Sequence, residues 1–261
     1  MDPSREQALR NLKRWISPFT PVMYYRTNDW IHEHRVSWHL EAIEDHIRDV
    51  FGSAFDFGYA KNLALVHDDA EIITDDVQLY IKEGMTAEEK EELARKETEA
   101  IPLLVQRYGT TVNGYDYAEM LMAAQTKERL EAQVVSYCDK CDGLCEAIHE
   151  LRAGNRRFLV PTQGKRNDGG YIKRIADFQG KYPALQPLLE RQHPIILPPR
   201  VNFEAMGEKG KIHTRQSLSQ ATGYAPYDFW IANILAHEGE ENLLTQREFE
   251  SEGSENENLY V

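Results

Sequence analysis

Apolar residues recur at every third or fourth position in several stretches of the chain. Over residues 36–50 they form one stripe of Val36, Leu40, Ile43, Ile47 and Val50. This spacing predicts an amphipathic helix with one buried face. Residues 4–16 (SREQALRNLKRWI) have a helical pattern as well, with Ser4 or Asp2 as the capping residue. Residues 59–73 are largely apolar and predict a single buried helix.

Start and stop signals delimit two longer helices. Thr86 is followed three residues later by Glu89, which predicts a capping box and a helix that runs to about Gly109. The longest candidate covers residues 127–154, where Gly154 fits the position just after a helix end. Residues 16–34 contain two prolines and predict a surface loop.

The chain shows no convincing strand alternation, so the predicted fold class is all-α. The clearest break is PTQGKRNDGGY at residues 161–171. We therefore expect a helical domain over 1–160 and a smaller, mostly helical extension over 161–240 that packs on it. Residues 241–261 predict a disordered acidic tail, since the stretch from 238 to the end holds eight Glu and one Arg.

Charge and composition narrow the function classes. The net charge of −13 argues against stable nucleic-acid binding. No apolar run reaches the ~18 residues of a membrane helix, and residues 1–15 lack the apolar core of a signal peptide. The three cysteines fall within eight residues at helical spacing, which predicts core thiols in a reducing compartment. The sequence thus predicts a cytoplasmic protein with no membrane partner.

The most unusual local feature is the pair His67-Asp68 in an apolar segment. Since aspartate is almost never buried alone, the pair indicates either a structural cap beside a core histidine or a ligand site. His39 and Asp139 also fall on apolar faces of predicted helices. Two imidazoles and two carboxylates would suit Mn, Fe, Co, Mg or Zn and leave positions for water and substrate.

Two other histidines compete with His39 as ligands. His32 and His34 flank Glu33 within the predicted loop over 16–34. A histidine in a surface loop is more often solvated than bound to a metal. The sequence therefore favours His39 and predicts that His32 and His34 lie on the surface.

Three blocks of the chain together resemble a known family. RVSWHLEAI (35–43), HDDAEIITDDV (67–77) and CDKCDGLCEAIHELRAGNRRFL (138–159) are similar to the HD-domain metal-dependent phosphohydrolases, whose signature is H…HD…D. The resemblance is closest to the bacterial 5′-deoxynucleotidase branch, which hydrolyses deoxynucleoside 5′-monophosphates. It implies an HD-domain helical bundle and, as in many members, a homodimer.

The resemblance also implies site roles. One divalent metal ion would be held by His39, His67, Asp68 and Asp139. Glu71 would orient or deprotonate the attacking water, and Asp76 would help to activate water or hold the sugar 3′-hydroxyl. Asp75 stands where the family has a glycine.

In the family, an Arg-Trp pair near the N-terminus binds the phosphate and sterically excludes a 2′-hydroxyl. Arg14-Trp15 is the matching pair in this chain. The loop before His39 is longer than in the family, so Arg26 or Arg35 could reach the phosphate instead.

The resulting hypothesis is a nucleotide phosphohydrolase that converts a (deoxy)nucleoside 5′-monophosphate into nucleoside and phosphate. Within the same class the alternative is a dNTP triphosphohydrolase or pyrophosphohydrolase, because the extension over 161–240 could cover a larger substrate. From another class the alternative is a catalytically weak nucleotide-binding regulator. Glu71 and Asp76 argue against the regulator, since binding alone needs no water-activating carboxylate.

Overall fold

In a computed structural model most of the described residues lie in helices, which confirms the predicted all-α class. The structure describes residues 2–16, 20, 22–77, 79–164, 169–196, 202–207, 210 and 213–237. The helices are α1 (Pro3–Asn11), α2 (Asp29–Ala42), α3 (Glu44–Phe51), α4 (Phe57–Ala64), α5 (Glu71–Thr74), α6 (Leu79–Gly84), α7 (Ala87–Tyr108), α8 (Tyr117–Thr126), α9 (Leu130–Arg152), α10 (Leu159–Gln163), α11 (Gly170–Lys181), α12 (Gln186–Leu189), α13 (Phe203–Gly207), α14 (Arg215–Leu218) and α15 (Ala225–His237).

Shorter elements connect these helices. Single 3₁₀ turns occupy Gly52–Ala54, Arg156–Phe158 and Pro183–Leu185. A small antiparallel hairpin pairs β1 (Thr111–Val112) with β2 (Tyr115–Asp116). The predicted acidic tail over 241–261 lies outside the described residues, so its disorder stays a prediction.

The predicted helix ends are confirmed where their signals are local. The side chain of Asp2 accepts a hydrogen bond from the backbone N–H of Ser4 at 2.7 Å and caps α1. Thr86 and Glu89 form the reciprocal capping box of α7. Gly154 follows α9 with φ = 98°, a conformation that favours glycine.

The loop prediction for residues 16–34 is wrong in its second half. Helix α2 starts at Asp29, and the side chain of Asn28 caps it by accepting from the N–H of Ile31 at 3.1 Å. His32 therefore lies on a helix and is fully buried, not solvated. The prolines at 18 and 21 favour a loop, and the capping residue Asn28 lies eight positions before the start of the apolar stripe at Val36, too far to be recognised as its cap.

The single helix predicted over 59–73 is divided into two. Helix α4 ends at Ala64, and tight turns lead to α5 at Glu71. The N–H of Asp69 donates to the carbonyl of Val66 at 3.1 Å, three residues back. His67 and Asp68 thus lie in this turn segment (residues 65–70) and not on a regular helix.

Helices α2 and α9 form the centre of the bundle. They pack against each other, α4 packs on both, and α11, α13 and α15 pack on α9. Cys138, Cys141 and Cys145 of α9 are buried as predicted, and burial raises the pKa of all three thiols. No helix among the described residues is both long and apolar enough to cross a membrane.

A buried ionic cluster holds the turn segment in place. The guanidinium of Arg5 donates to the carboxylate of Asp69 at 2.7 and 2.8 Å, to Glu33 at 3.0 Å and to the carbonyl of Leu65. The hydroxyl of Tyr117 donates to Asp69 at 2.5 Å. Helix α1 is thereby tied to the residues on either side of His67 and Asp68.

We expect Arg5→Met to lower the free energy of unfolding by about 3–5 kcal/mol, because it leaves Asp69 and Glu33 buried without their cation. Urea denaturation measures the change. Arg10→Met on the same helix is the control. Arg10 is 42% exposed and pairs with Glu6 at 2.8 Å, so its loss should cost less than about 1 kcal/mol. Equal losses in the two variants would contradict the structural role of Arg5.

Candidate metal centre and active site

Four side chains from three segments converge at one point. His32 comes from α2, His67 and Asp68 from the turn segment, and Asp139 from α9. The Nε2 atom of His32 lies 3.4 Å from one oxygen of Asp68 and 3.4 Å from one oxygen of Asp139. The Nε2 atom of His67 lies 3.5 Å from Asp68. Ligand atoms of His32, His67 and Asp68 lie within 4.8 Å of one another.

The hydrogen bonds behind both imidazoles aim their Nε2 atoms at this point. The Nδ1 atom of His67 lies 2.8 Å from the carbonyl of Ala64, and that of His32 lies 2.8 Å from the carboxylate of Asp142. Both Nε2 atoms are buried and have no hydrogen-bond partner among the described residues. Unsatisfied imidazole nitrogens beside two carboxylates fit a divalent cation with mixed nitrogen and oxygen ligands.

The electrostatics of His32 point the same way. Burial opposes its charged form, but the carboxylates of Asp139, Asp142 and Asp68 outweigh burial, so that the pKa of His32 lies well above its ordinary value. The three carboxylates thus make the surroundings of His32 negative, which suits a bound cation.

His39, the first ligand expected from the sequence, lies elsewhere. It is fully buried, and its Nδ1 atom faces the carbonyl of Cys138 at 3.4 Å. Among the described residues, the side-chain groups that could hold a metal include His32 and not His39. Since the two histidines are seven residues apart on α2, they share a face of the helix, and the periodicity alone does not distinguish them.

Glu71 lies beside the four candidate ligands. Its carboxylate forms a second close group with Asp68 and Asp29, also within 4.8 Å. Burial and then the charges of Asp68, Asp76 and Asp29 raise the pKa of Glu71 well above its ordinary value, while Lys82 at 3.8 Å opposes this. Sequence reasoning missed Asp29, because the residue fell in the surface loop predicted over 16–34, whereas the structure places it at the start of α2.

Asp76 follows a strained residue. Asp75 ends α5 with φ = 62°, a conformation that favours the glycine found in the related family. Burial raises the pKa of Asp76, and the nearby charge of Arg14 and a hydrogen bond from the backbone N–H of Trp15 oppose this shift. The charge of Asp76 is one of the causes that raise the pKa of Glu71, so the two carboxylates lie near each other.

Arg14 and Trp15 converge on a carboxylate that sequence reasoning missed. The Nε atom of Arg14 lies 3.3 Å from Glu146, and the indole N–H of Trp15 donates to the same carboxylate at 2.7 Å. Arg14 also lies 3.3 Å from Asp29 and 3.7 Å from Asp68. Arg14 therefore borders the site, and both side chains are buried.

The other two candidate arginines, Arg26 and Arg35, contact groups of the protein itself. Arg26 donates to the carbonyl of Arg14 at 2.8 Å. Arg35 is fully buried, lies 3.7 Å from Glu146 and stacks over the ring of Trp230 at 5.3 Å. Arg35 thus has no exposed surface to offer a substrate.

A cleft of about 150 Å³ opens beside three of the four candidate ligands. His67, Asp68, Glu71 and Asp139 line it. Three ammonium groups line the same cleft: those of Lys82, Lys127 and Lys140. Lys140 forms an ion pair with Asp139, and burial and the charge of Lys140 lower the pKa of Lys127 to about 8. The cleft thus combines a candidate cation site with groups that attract an anion.

This architecture defines the class of the protein. A helical bundle that gathers a histidine, an adjacent His-Asp pair and a distant aspartate has the signature of the HD-domain phosphohydrolases. Residues 6–168 match the model of the family described as 5′-deoxynucleotidase YfbR-like, and the chain belongs to that family of HD-domain hydrolases. No curated protein matches the chain by sequence. The family match ends before α11.

Proposed function

We propose that the protein is a metal-dependent 5′-nucleotidase that converts deoxynucleoside 5′-monophosphates into nucleoside and phosphate. His32, His67, Asp68 and Asp139 would hold one divalent ion. The observation that carries this proposal is the pair of unsatisfied imidazole nitrogens facing two carboxylates in a chain of the 5′-deoxynucleotidase family. When bound, a divalent ion would neutralise phosphate oxygens and lower the pKa of a water ligand.

Glu71 is the proposed proton acceptor for the attacking water. Its carboxylate lies in the cleft next to Asp68, so it can reach a water that approaches the same point. The ammonium of Lys82 at 3.8 Å favours the ionised form that accepts a proton. Asp76, whose carboxylate accepts a hydrogen bond from the backbone N–H of Trp15, would support the same proton transfer or bind the 3′-hydroxyl of the sugar.

Cations around the cleft are the proposed phosphate contacts. Lys127 and Lys140 line it on the side of Asp139, and Arg14 lies 3.7 Å from Asp68. Ammonium and guanidinium donors form strong charge-assisted hydrogen bonds with phosphoryl oxygens.

Trp15 has an indirect role in this proposal. Its ring packs on Phe158 and Tyr171 at centroid distances of 5.1 and 5.7 Å. We infer that Trp15 influences the preference for deoxyribose over ribose by positioning Asp76 and Arg14.

A phosphate-release assay tests the function. Protein reconstituted with Mn, Co, Mg, Fe or Zn is given matched deoxynucleoside and ribonucleoside 5′-monophosphates and the corresponding dNTPs. We expect metal-dependent phosphate release from at least one deoxynucleoside monophosphate, with slower release from its ribose counterpart. The two alternatives would release tripolyphosphate or pyrophosphate and no orthophosphate, so dNTP consumption is followed by chromatography. Inert monophosphates with consumed dNTPs would support the triphosphohydrolase or pyrophosphohydrolase alternative. Nucleotide binding without turnover would support the regulator. The homodimer and the cytoplasmic location stay predictions of the sequence.

A further inference from the structure

Asp142 connects the candidate metal centre to the C-terminal part of the chain. Its carboxylate is fully buried on α9, and its two oxygens have different partners. One oxygen lies 2.8 Å from the Nδ1 atom of His32. The other accepts a hydrogen bond of 2.7 Å from the indole N–H of Trp230 on α15. Trp230 lies more than sixty residues beyond the end of the family match.

We propose that Trp230 is a positioning residue for the metal site, which it controls through Asp142 and His32. The indole N–H fixes one oxygen of Asp142, so the other oxygen points at His32. That contact holds the proton of His32 on Nδ1 and leaves Nε2 to face Asp68 and Asp139. The inference rests on the proposed metal site and explains why a chain of this family has a tryptophan from outside the matched region in its centre.

The packing of α15 supports this role. The helix lies against both α2, which carries His32, and α9, which carries Asp142. Trp230 is fully buried, and the guanidinium of Arg35 from α2 stacks on its ring. Trp230, Asp142 and His32 are therefore all shielded from water. In such surroundings the loss of the indole donor would leave one oxygen of Asp142 unpaired, which is costly.

A neighbouring residue on α15 provides the matched control. The hydroxyl of Tyr227 lies 2.6 Å from Nδ1 of His149, which is also buried. Tyr227→Phe and Trp230→Phe each remove one buried hydrogen-bond donor from the same helix and keep an aromatic ring. Of the two removed donors, Trp230 alone bonds the carboxylate that faces His32.

The experiment measures metal binding in full-length protein. Mn²⁺ affinity is determined by calorimetry, and the visible absorption spectrum of the Co²⁺-loaded protein reports the ligand geometry. We expect Trp230→Phe to weaken Mn²⁺ binding about 10–100-fold, as for other residues that orient a ligating histidine, and to change the Co²⁺ spectrum. Tyr227→Phe should leave both unchanged. Unfolding of the metal-free variants is measured in parallel to account for any loss of fold stability.

Asp142→Asn is the second variant and decides the result if Trp230→Phe does not fold. It should also weaken Mn²⁺ binding. Wild-type Mn²⁺ affinity in Trp230→Phe or in Asp142→Asn would overturn the inference, as would equal weakening by Tyr227→Phe. If the wild-type protein itself binds no metal, the proposed function fails, and this outcome is distinct from a failure of the positioning role.

Discussion

His32→Ala is expected to abolish metal binding and phosphate release, whereas His39→Ala should retain both. The Nε2 atom of His32 lies 3.4 Å from both Asp68 and Asp139, so its loss removes one of four proposed ligands. His39 faces the carbonyl of Cys138 and belongs to no close group of candidate ligands in the described part of the chain. Bound metal is measured by elemental analysis after dialysis, and activity by the phosphate-release assay.

Both variants remove a fully buried imidazole from the same face of α2, so they control each other for packing loss. Circular dichroism and thermal unfolding establish that each variant is folded before its metal content is compared. Metal retained in His32→Ala and lost in His39→Ala would restore the sequence-based ligand set. That result would require α2 to be displaced by two helical turns relative to α9.

Local signals in the sequence predict much of the fold. The capping box of Thr86 and Glu89 and the glycine after α9 act within a single turn of backbone, so the chain neighbours suffice to reveal them. The pair His67-Asp68 is also visible locally, because a carboxylate in an apolar segment needs a partner wherever the segment packs. The helical class and the middle of the site follow from such signals.

The partners that complete the site are distant in sequence and have no local signal. Asp142 is 110 residues from His32 and 88 from Trp230. Glu146 is 131 residues from Trp15. In the sequence each of these acids looks like an ordinary polar residue of a long helix. Their roles arise only when α9 packs against α2 and α15, so periodicity and composition could not identify them.

The preference for His39 over His32 rests on a weak signal for a related reason. A separation of seven residues places both on one side of an α-helix. The start of α2 and its position along α9 determine which histidine faces Asp68 and Asp139. Both depend on the cap at Asn28 and on tertiary packing. A histidine followed by an apolar stripe is therefore a weaker guide to the ligand than the position of the helix start.

Glu71→Gln is expected to keep metal binding but to lower turnover about 10²–10⁴-fold, the usual contribution of a general acid or base. The amide matches the carboxylate in size but cannot accept a proton from water. Glu71 lies in the cleft beside Asp68 and 3.8 Å from Lys82. Single-turnover phosphate release with saturating substrate isolates the chemical step, and calorimetric titration with Mn²⁺ measures the metal affinity of the same preparation.

Glu97→Gln is the matched control, because the Glu97 carboxylate also lies 3.8 Å from Lys82 but belongs to no candidate metal group within the described ranges. It should retain turnover and metal affinity close to the wild-type values. The informative alternative is loss of Mn²⁺ binding in Glu71→Gln, because Glu71 also forms a close group with Asp29 and Asp68. In that case Glu71 is a metal ligand, and the proton acceptor has to be sought at Asp76, where the charge of Asp68 contributes to the raised pKa. Unchanged turnover together with unchanged metal affinity would remove Glu71 from the mechanism.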